Sequence, residues 1–202
     1  VMSPSFWMVF SDSSSSRMAA NGASTGQPSG ALSRWTFAIE FSKAAQMLYA
    51  ESGVTTAHEG ATHAADLDVM KRATAAGANI IDVIAYPFIT DLDKILEAVP
   101  LAGWGKYDNH LKIGGVKITI DGSPQGKTAW LSKPYFKPPQ GQTEDYAGYG
   151  VIQDPQAIDY YTTALRNRWQ ILTHANGDRA IDQLLDDFGK AREAVPGVDV
   201  RP

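Results

Sequence analysis

A chain of 202 residues with 44% hydrophobic and 20% charged residues has the profile of a globular domain long enough for one sizeable core. Its net charge of -4, with Lys and Arg scattered and outnumbered, gives no electrostatic reason to expect a nucleic-acid partner. No window approaches the roughly 18 uninterrupted apolar residues of a membrane span, so no membrane partner is expected. The absence of cysteine excludes disulfides and thiolate metal sites, leaving His, Asp, Glu or a modified Lys as metal ligands, and it fits a cytoplasmic location.

The start, VMSPSFWMVFSDSSSS, has a short apolar stretch but neither a basic region before it nor a clear cleavage site after it, so it does not read as a signal peptide. Residues 1–30 form a Ser/Gly-rich irregular segment, with 11–30 expected as loop. From Ala31 to Tyr49 the residues Leu32, Trp35, Ile39, Ala44, Met47 and Leu48 recur at helical spacing, and Gly53 stops the run. VTTAHEGA (54–61) reads as a short buried strand, Ala64–Ala76 as a helix closed by Gly77, and NIIDVIAYPFI (79–89) as a strand. A helix follows at Asp91–Val99 with Asp91 as its N-cap, then a strand VKITIDG (116–122) and a long loop at 123–153. DPQAIDYYTTALRNRW (154–169) reads as a helix with Asp154 at the cap and Pro155 in the first turn, and QILTHANG (170–177) as a strand. Asp178–Ala194 completes the series as an amphipathic helix expected to bury Ile181, Leu184, Leu185 and Phe188.

This alternation implies an α/β fold with parallel strands and right-handed crossovers. About four βα units are visible, whereas a closed (β/α)8 TIM barrel needs eight. Residues 31–202 therefore read as a partial barrel domain. An open doubly wound sheet is the competing arrangement, but its Gly-rich phosphate turn is absent. The ends, Val1 and Val200-Arg201-Pro202, read as cuts through a longer protein. An open half-barrel leaves free strand edges, so a homo-oligomer is expected.

Two segments can carry chemistry. In THANGDRAID (173–182), His174 falls at the C-terminal end of a strand, where barrel active sites form; its imidazole is a candidate metal ligand or base, or else a structural histidine beside a capping Asp178. In GGVKITIDGSPQGKTAWL (114–131), Lys117 interrupts a core-like strand. It needs a carboxylate partner, a carbamate, or a catalytic role with depressed pKa, unless the strand is an edge and Lys117 faces water. Asp121 lies four residues on, on the same side at period two. The aromatics Trp130, Tyr135, Phe136, Tyr146 and Tyr149 of the long loop are candidate walls for a pocket, though aromatics pack cores more often.

GVKITIDGSPQGKTAWL, followed by Pro134-Tyr135 and then ILTHANGDRAID, resembles amidohydrolase family 3, the YtcJ-like metal-dependent hydrolases of the amidohydrolase superfamily, which include N-substituted formamide deformylase. Members read GVK, a short apolar stretch, DGS, TA and PY, then HAxGDRA. QPSGAL (27–32) resembles the family's PTGVL segment and ESGVTTAHEGAT (51–62) its GITTV-type strand, so the resemblance covers roughly residues 27 to 202.

The resemblance implies that Lys117 matches a strand-four lysine that is carboxylated and bridges two metals, and that His174 matches the strand-five metal ligand. Asp121, Tyr135, Asp178 and Arg179 match positions suited to substrate or second-sphere contacts. The implied activity is hydrolysis of an amide or formamide-like non-peptide C–N bond in a small molecule, by water activated on a divalent metal, zinc being the favoured ion. The departures are specific. No His-x-His pair is present, Arg17 stands where a His is expected, and the sixth-strand His and the late proton-shuttle Asp are expected beyond Pro202. No shuttle residue is therefore assigned here, and the isolated chain is expected to bind metal weakly and to be inactive. The alternative is a non-catalytic α/β remnant serving as a binding or regulatory module.

Overall fold

The computed structural model describes residues 34–200, so the Ser/Gly-rich segment 1–30, with Arg17 and Leu32, lies outside the described residues. The elements run α1 (Arg34–Glu51), β1 (Thr56–Thr62), α2 (Ala64–Ala75), β2 (Asp82–Pro87), α3 (Leu92–Ala98), β3 (Leu111–Ile113), β4 (Gly115–Thr119), α4 (Asp154–Arg166), β5 (Gln170–His174) and α5 (Asp178–Ala194). β1 pairs with β2, β2 with β3, and β4 with β5, each in parallel. The chain is thus an α/β fold of parallel strands alternating with helices, and its strands do not close into a barrel among the described residues. No described helix is long and apolar enough to cross a membrane.

The two ladders are linked through one bent strand. Only Gly114 separates β3 from β4, and Phe88, just past β2, bridges Lys117 in parallel. Ala85 pairs with Ile113 but Phe88 meets Lys117, a one-residue register shift of the kind a bulge produces. At Gly115 a Cβ would lie 1.9 Å from the Gln170 carbonyl oxygen, so glycine is required where the strand turns from β2 to β5. The sequence pattern did not show β3, because three residues are too few to display a period.

Alternation sorts the strand side chains onto two faces. Val116 and Ile118 of β4 and Ile171 of β5 pack with Ala157, Tyr161, Ala164 and Leu165 of α4 and Phe188 of α5. Val83, Ala85 and Leu111 pack on Met70 of α2. The other face carries His58, Tyr86, Lys117, Leu172 and His174, with the His58 and Tyr86 rings 5.3 Å apart. A Cβ added at Gly60 of β1 would lie 3.9 Å from Leu172 Cδ1 of β5. Side chains at the two ends of the strand order therefore meet across this face, and it is concave.

Several expectations from the pattern need correction. β1 is largely exposed, because it pairs on one edge only among the described residues. α1 leaves Met47 and Leu48 exposed and docks through Ser42, Ala45 and Gln46. Gln46 Oε1 accepts the Ile80 N–H at 2.9 Å, so a polar side chain holds α1 to the backbone entering β2. α5 exposes Ile181 and Leu185 and buries Ala180, Gln183, Asp187, Phe188 and Ala191. The small Ala191 packs with Ala157 and Ala164 where α4 and α5 meet, an approach that branched side chains would hold apart. Asp91 does not cap α3 with its side chain; its Oδ2 accepts the Ala64 N–H at 3.3 Å and so serves the start of α2. Gln153 takes the cap of α4, with Asp154 in its first turn.

The helix ends share one device. The Val54 N–H donates to Tyr49 O, Ala78 N–H to Ala73 O and Trp169 N–H to Ala164 O, each following a residue of positive φ. Gly53 (φ 80°) and Gly77 (φ 65°) fill that position after α1 and α2, but after α4 it is Arg168 (φ 56°). A β-carbon in the left-handed region costs about 1 kcal/mol. Arg168→Gly should therefore stabilise the chain by roughly that amount, read as a higher urea midpoint at unchanged slope.

Candidate functional site

The strands β4 and β5 end side by side, with Thr119 paired to His174 and Lys117 two residues earlier paired to Leu172. Lys117 and His174 share the concave face as diagonal neighbours on adjacent strands, which places their Cα atoms about 8 Å apart. Lys117 is half-buried, has no hydrogen-bond or ion-pair partner among the described residues, and its amine is pushed below its ordinary pKa by burial.

Asp121 organises the strand end. Its side chain is fully buried. Oδ2 accepts the N–H groups of Trp130 (2.8 Å) and Gly177 (2.7 Å), and Oδ1 that of Asn176 (2.9 Å). One carboxylate thereby ties the end of β4 to the long loop and to the turn between β5 and α5. The approach is so close that a Cβ on Gly177 would fall 1.8 Å from Trp130 O.

This arrangement also orients His174. Its Nε2 lies 3.0 Å from the Gly122 carbonyl oxygen and 3.9 Å from Asp121 Oδ1, both acceptors. The Asn176 Nδ2 is also 2.9 Å away, a donor favouring the opposite tautomer, but it already donates to Gly122 O at 2.9 Å. The Gly122 carbonyl can only accept, so its contact favours the tautomer with the hydrogen on Nε2, in which the Nδ1 lone pair is left without a partner among the described residues.

The remaining predicted residues hold loops. Asp178 accepts the Ser132 N–H at 2.7 Å and its hydroxyl, and these bonds hold its carboxyl below the usual range. Arg179 N–H donates to Trp130 O at 3.2 Å, and its guanidinium sits 5.1 Å over the Trp130 ring. Tyr135 donates its hydroxyl to Ala129 O at 2.9 Å and stacks on Tyr146, and burial, with the Tyr146 and Asp121 charges, pushes its pKa up. Phe136 is fully exposed and Tyr149 half-exposed, and the two described cavities lie at the opposite ends of the strands. One, about 250 Å³, is lined by Trp104 and Trp169; the other, about 410 Å³, by Ile81, Asp82 and His110. Pattern reading passed over Ser132 and Asn176 and gave the Gly122 and Trp130 backbone groups no role; the signals for Gly122 and Asn176 were the turn chemistry of Asp-Gly-Ser and Asn-Gly-Asp.

In the middle of β1, Glu59 is buried and accepts the Ala61 N–H at 3.2 Å. Burial raises its pKa to about 7; Asp66 adds to the rise, while the Ala61 hydrogen bond and His63 oppose it.

An amidohydrolase family model matches residues 39–201. The chain belongs to the amidohydrolase family. An uncharacterized metal-dependent hydrolase of Pyrococcus horikoshii superposes with a TM-score of 0.61 at 30% identity, covering 77% of this chain and 30% of that structure. A second, from Pyrococcus furiosus, gives 0.61 at 28% identity and covers 76% and 31%. Among curated proteins, LONG AFTER FAR-RED 3 of Arabidopsis thaliana is 34% identical over 80 residues, 39% of this chain and 12% of that protein. The chain thus spans less than a third of each of these relatives.

Two outcomes follow for this amidohydrolase chain. Asp121→Asn replaces an acceptor by a donor facing buried N–H groups and should cost roughly 3 kcal/mol in urea unfolding. Glu59 is protonated more readily in the folded than in the unfolded chain, so its contribution is complete below about pH 4.5 and is lost as pH rises to about 7. Glu59→Gln should remove that decline from the melting temperature measured against pH.

Proposed function

We propose that the chain is about half of a (β/α)8 barrel, and that Lys117 and His174 are two donors of a divalent-metal site, zinc being the favoured ion, that hydrolyses a non-peptide C–N bond of a small amide or formamide. The observation that carries this is their shared position: a half-buried amine and an imidazole Nδ1, both without a partner among the described residues, on the concave face near the C-terminal ends of β4 and β5. Family membership and the likeness to metal-dependent hydrolases support it.

The donor set fits part of such a site. No three His, Asp or Glu side chains converge to hold a metal among the described residues, and a catalytic zinc takes about three protein ligands. When bound, a divalent ion supplies Lewis acidity to a substrate carbonyl and lowers the pKa of water. Burial favours the neutral Lys117 amine, which can add to carbon dioxide and release a proton, giving an anionic carbamate donor. Gly122 O and Asp121 hold the imidazole, while Asp178, Arg179 and Tyr135 fix the loop beside it. With two donors, these residues alone bind metal weakly and turn over no substrate usefully. The outer edges of β1 and β5, to which no strand pairs among the described residues, would take a second copy, giving a homo-oligomer.

Equilibrium dialysis against zinc, with and without bicarbonate, tests the site. Weak, bicarbonate-assisted binding that His174→Ala and Lys117→Met both abolish is expected. Equal retention by wild type and His174→Ala would remove His174 as a ligand; near-stoichiometric zinc in the wild type would show that other residues complete the site.

A further inference from the structure

The α4–α5 interface buries two polar groups that the proposed chemistry does not use. Gln183 and Asp187 lie one turn apart on α5, on the stripe facing α4, and are 7% and 1% exposed. Gln183 Nε2 donates to Asp154 Oδ1 at 2.9 Å and to Ile152 O at 3.3 Å. Asp187 Oδ1 accepts from Lys190 Nζ at 3.2 Å. Gln183 Oε1 and Asp187 Oδ2 are left buried without a donor. Turning the Gln183 amide over does not help, because its oxygen would then face Asp154 Oδ1 and Ile152 O.

Two buried acceptors of adjacent side chains need a hydrogen between them, since each unsatisfied group costs about 1–3 kcal/mol. Both atoms are closed to bulk solvent, and the hydrogen nearest at hand on these two side chains is that of a protonated Asp187 carboxyl. A metal ion needs several oxygens arranged around it, and no such group is formed among the described residues. One proton satisfies both atoms at once.

We propose that Asp187 is a protonated carboxylic acid whose Oδ2–H donates to Gln183 Oε1, and that this proton is a pH-sensitive latch between α5 and α4. Lys190, through its hydrogen bond and its charge, and the Gln183 amide pull the Asp187 carboxyl down. Yet a neutral acid still accepts the ammonium at Oδ1, and Lys190 is half-exposed, so water screens its charge. From α4, the facing groups are the Asp154 carboxylate and the Tyr161 phenol, whose own pKa is pushed up to about 12 by burial. From α5, Asp186 adds negative charge around Lys190. Burial, with the Asp154 charge, outweighs the pull of Lys190 and Gln183 and pushes the Asp187 carboxyl up. Ionisation would leave two acceptors facing each other inside the interface. α5 begins with Asp178 and Arg179, which hold Ser132 and Trp130, so opening the latch loosens the segment beside His174. None of this depends on a metal.

Because the folded pKa is raised, the latch is complete below the unfolded value of about 4 and is lost as pH rises through the folded value. The folding constant of the wild type relative to Asp187→Asn should fall roughly tenfold per pH unit over that window, because the asparagine amide donates to Gln183 Oε1 at every pH. Titrating groups elsewhere, Glu59 included, cancel in that ratio. Urea unfolding of both full chains between about pH 5 and 8 measures it, and ¹³C NMR of the Asp187 carboxyl in the wild type reads the proton directly, whether or not the variant folds. A carboxyl signal still protonated near pH 7 supports the latch. A signal already that of a carboxylate at about pH 5, or a pH-independent ratio, overturns it.

Discussion

A carboxylate with no solvent exposure must be surrounded by donors, and at Asp121 all three that hydrogen-bond to it come from the backbone. They lie at Trp130, Asn176 and Gly177, so a single charge fixes a loop with no regular structure against a turn on another strand. The Gly122 carbonyl that orients His174 is the next group along the chain. Gly177 is a consequence of the same interaction, since the Trp130 carbonyl occupies the space a side chain would need. Burial of one acid therefore sets the loop path, the turn and the orientation of the imidazole together.

The strand–helix order was readable because apolar periodicity and helix-stopping glycines are local. Gly53 and Gly77 ended helices as their chemistry requires, and α5 spans the residues its pattern marked. Which face a helix buries was not readable, because the neighbour decides it. On α5 the large apolar residues Ile181 and Leu185 lost to a stripe containing alanines, since α4 offers Ala157 and Ala164 and permits closer approach there. Likewise Asp91 sits where a cap for α3 belongs, yet its carboxylate serves the start of α2, a partner 27 residues away in sequence.

The candidate site was legible to a different depth. Lys117 stood out as a cation inside an apolar alternation and His174 as an imidazole at a strand end, and both lie on the concave face. The roles of Asp121, Asp178 and Tyr135 were not legible, because each is bound to backbone groups, and backbone donors and acceptors are the same at every residue. A sequence displays side-chain chemistry; it does not display which peptide group a fold brings beside it.

Curvature connects the fold to the chemistry at Lys117. In a flat sheet a lysine on the face away from the helices would extend into water and keep its ordinary affinity for a proton. Here Leu172, its register partner on β5, extends across the concave face toward Gly60 on β1, and side chains from both ends of the strand order share that interior. An ammonium on that surface gives up part of its hydration without gaining a carboxylate, and its pKa falls. The one-residue shift at Gly114-Gly115, which turns the strand from β2 toward β5, is thus continuous with the lowered pKa of the amine two residues later.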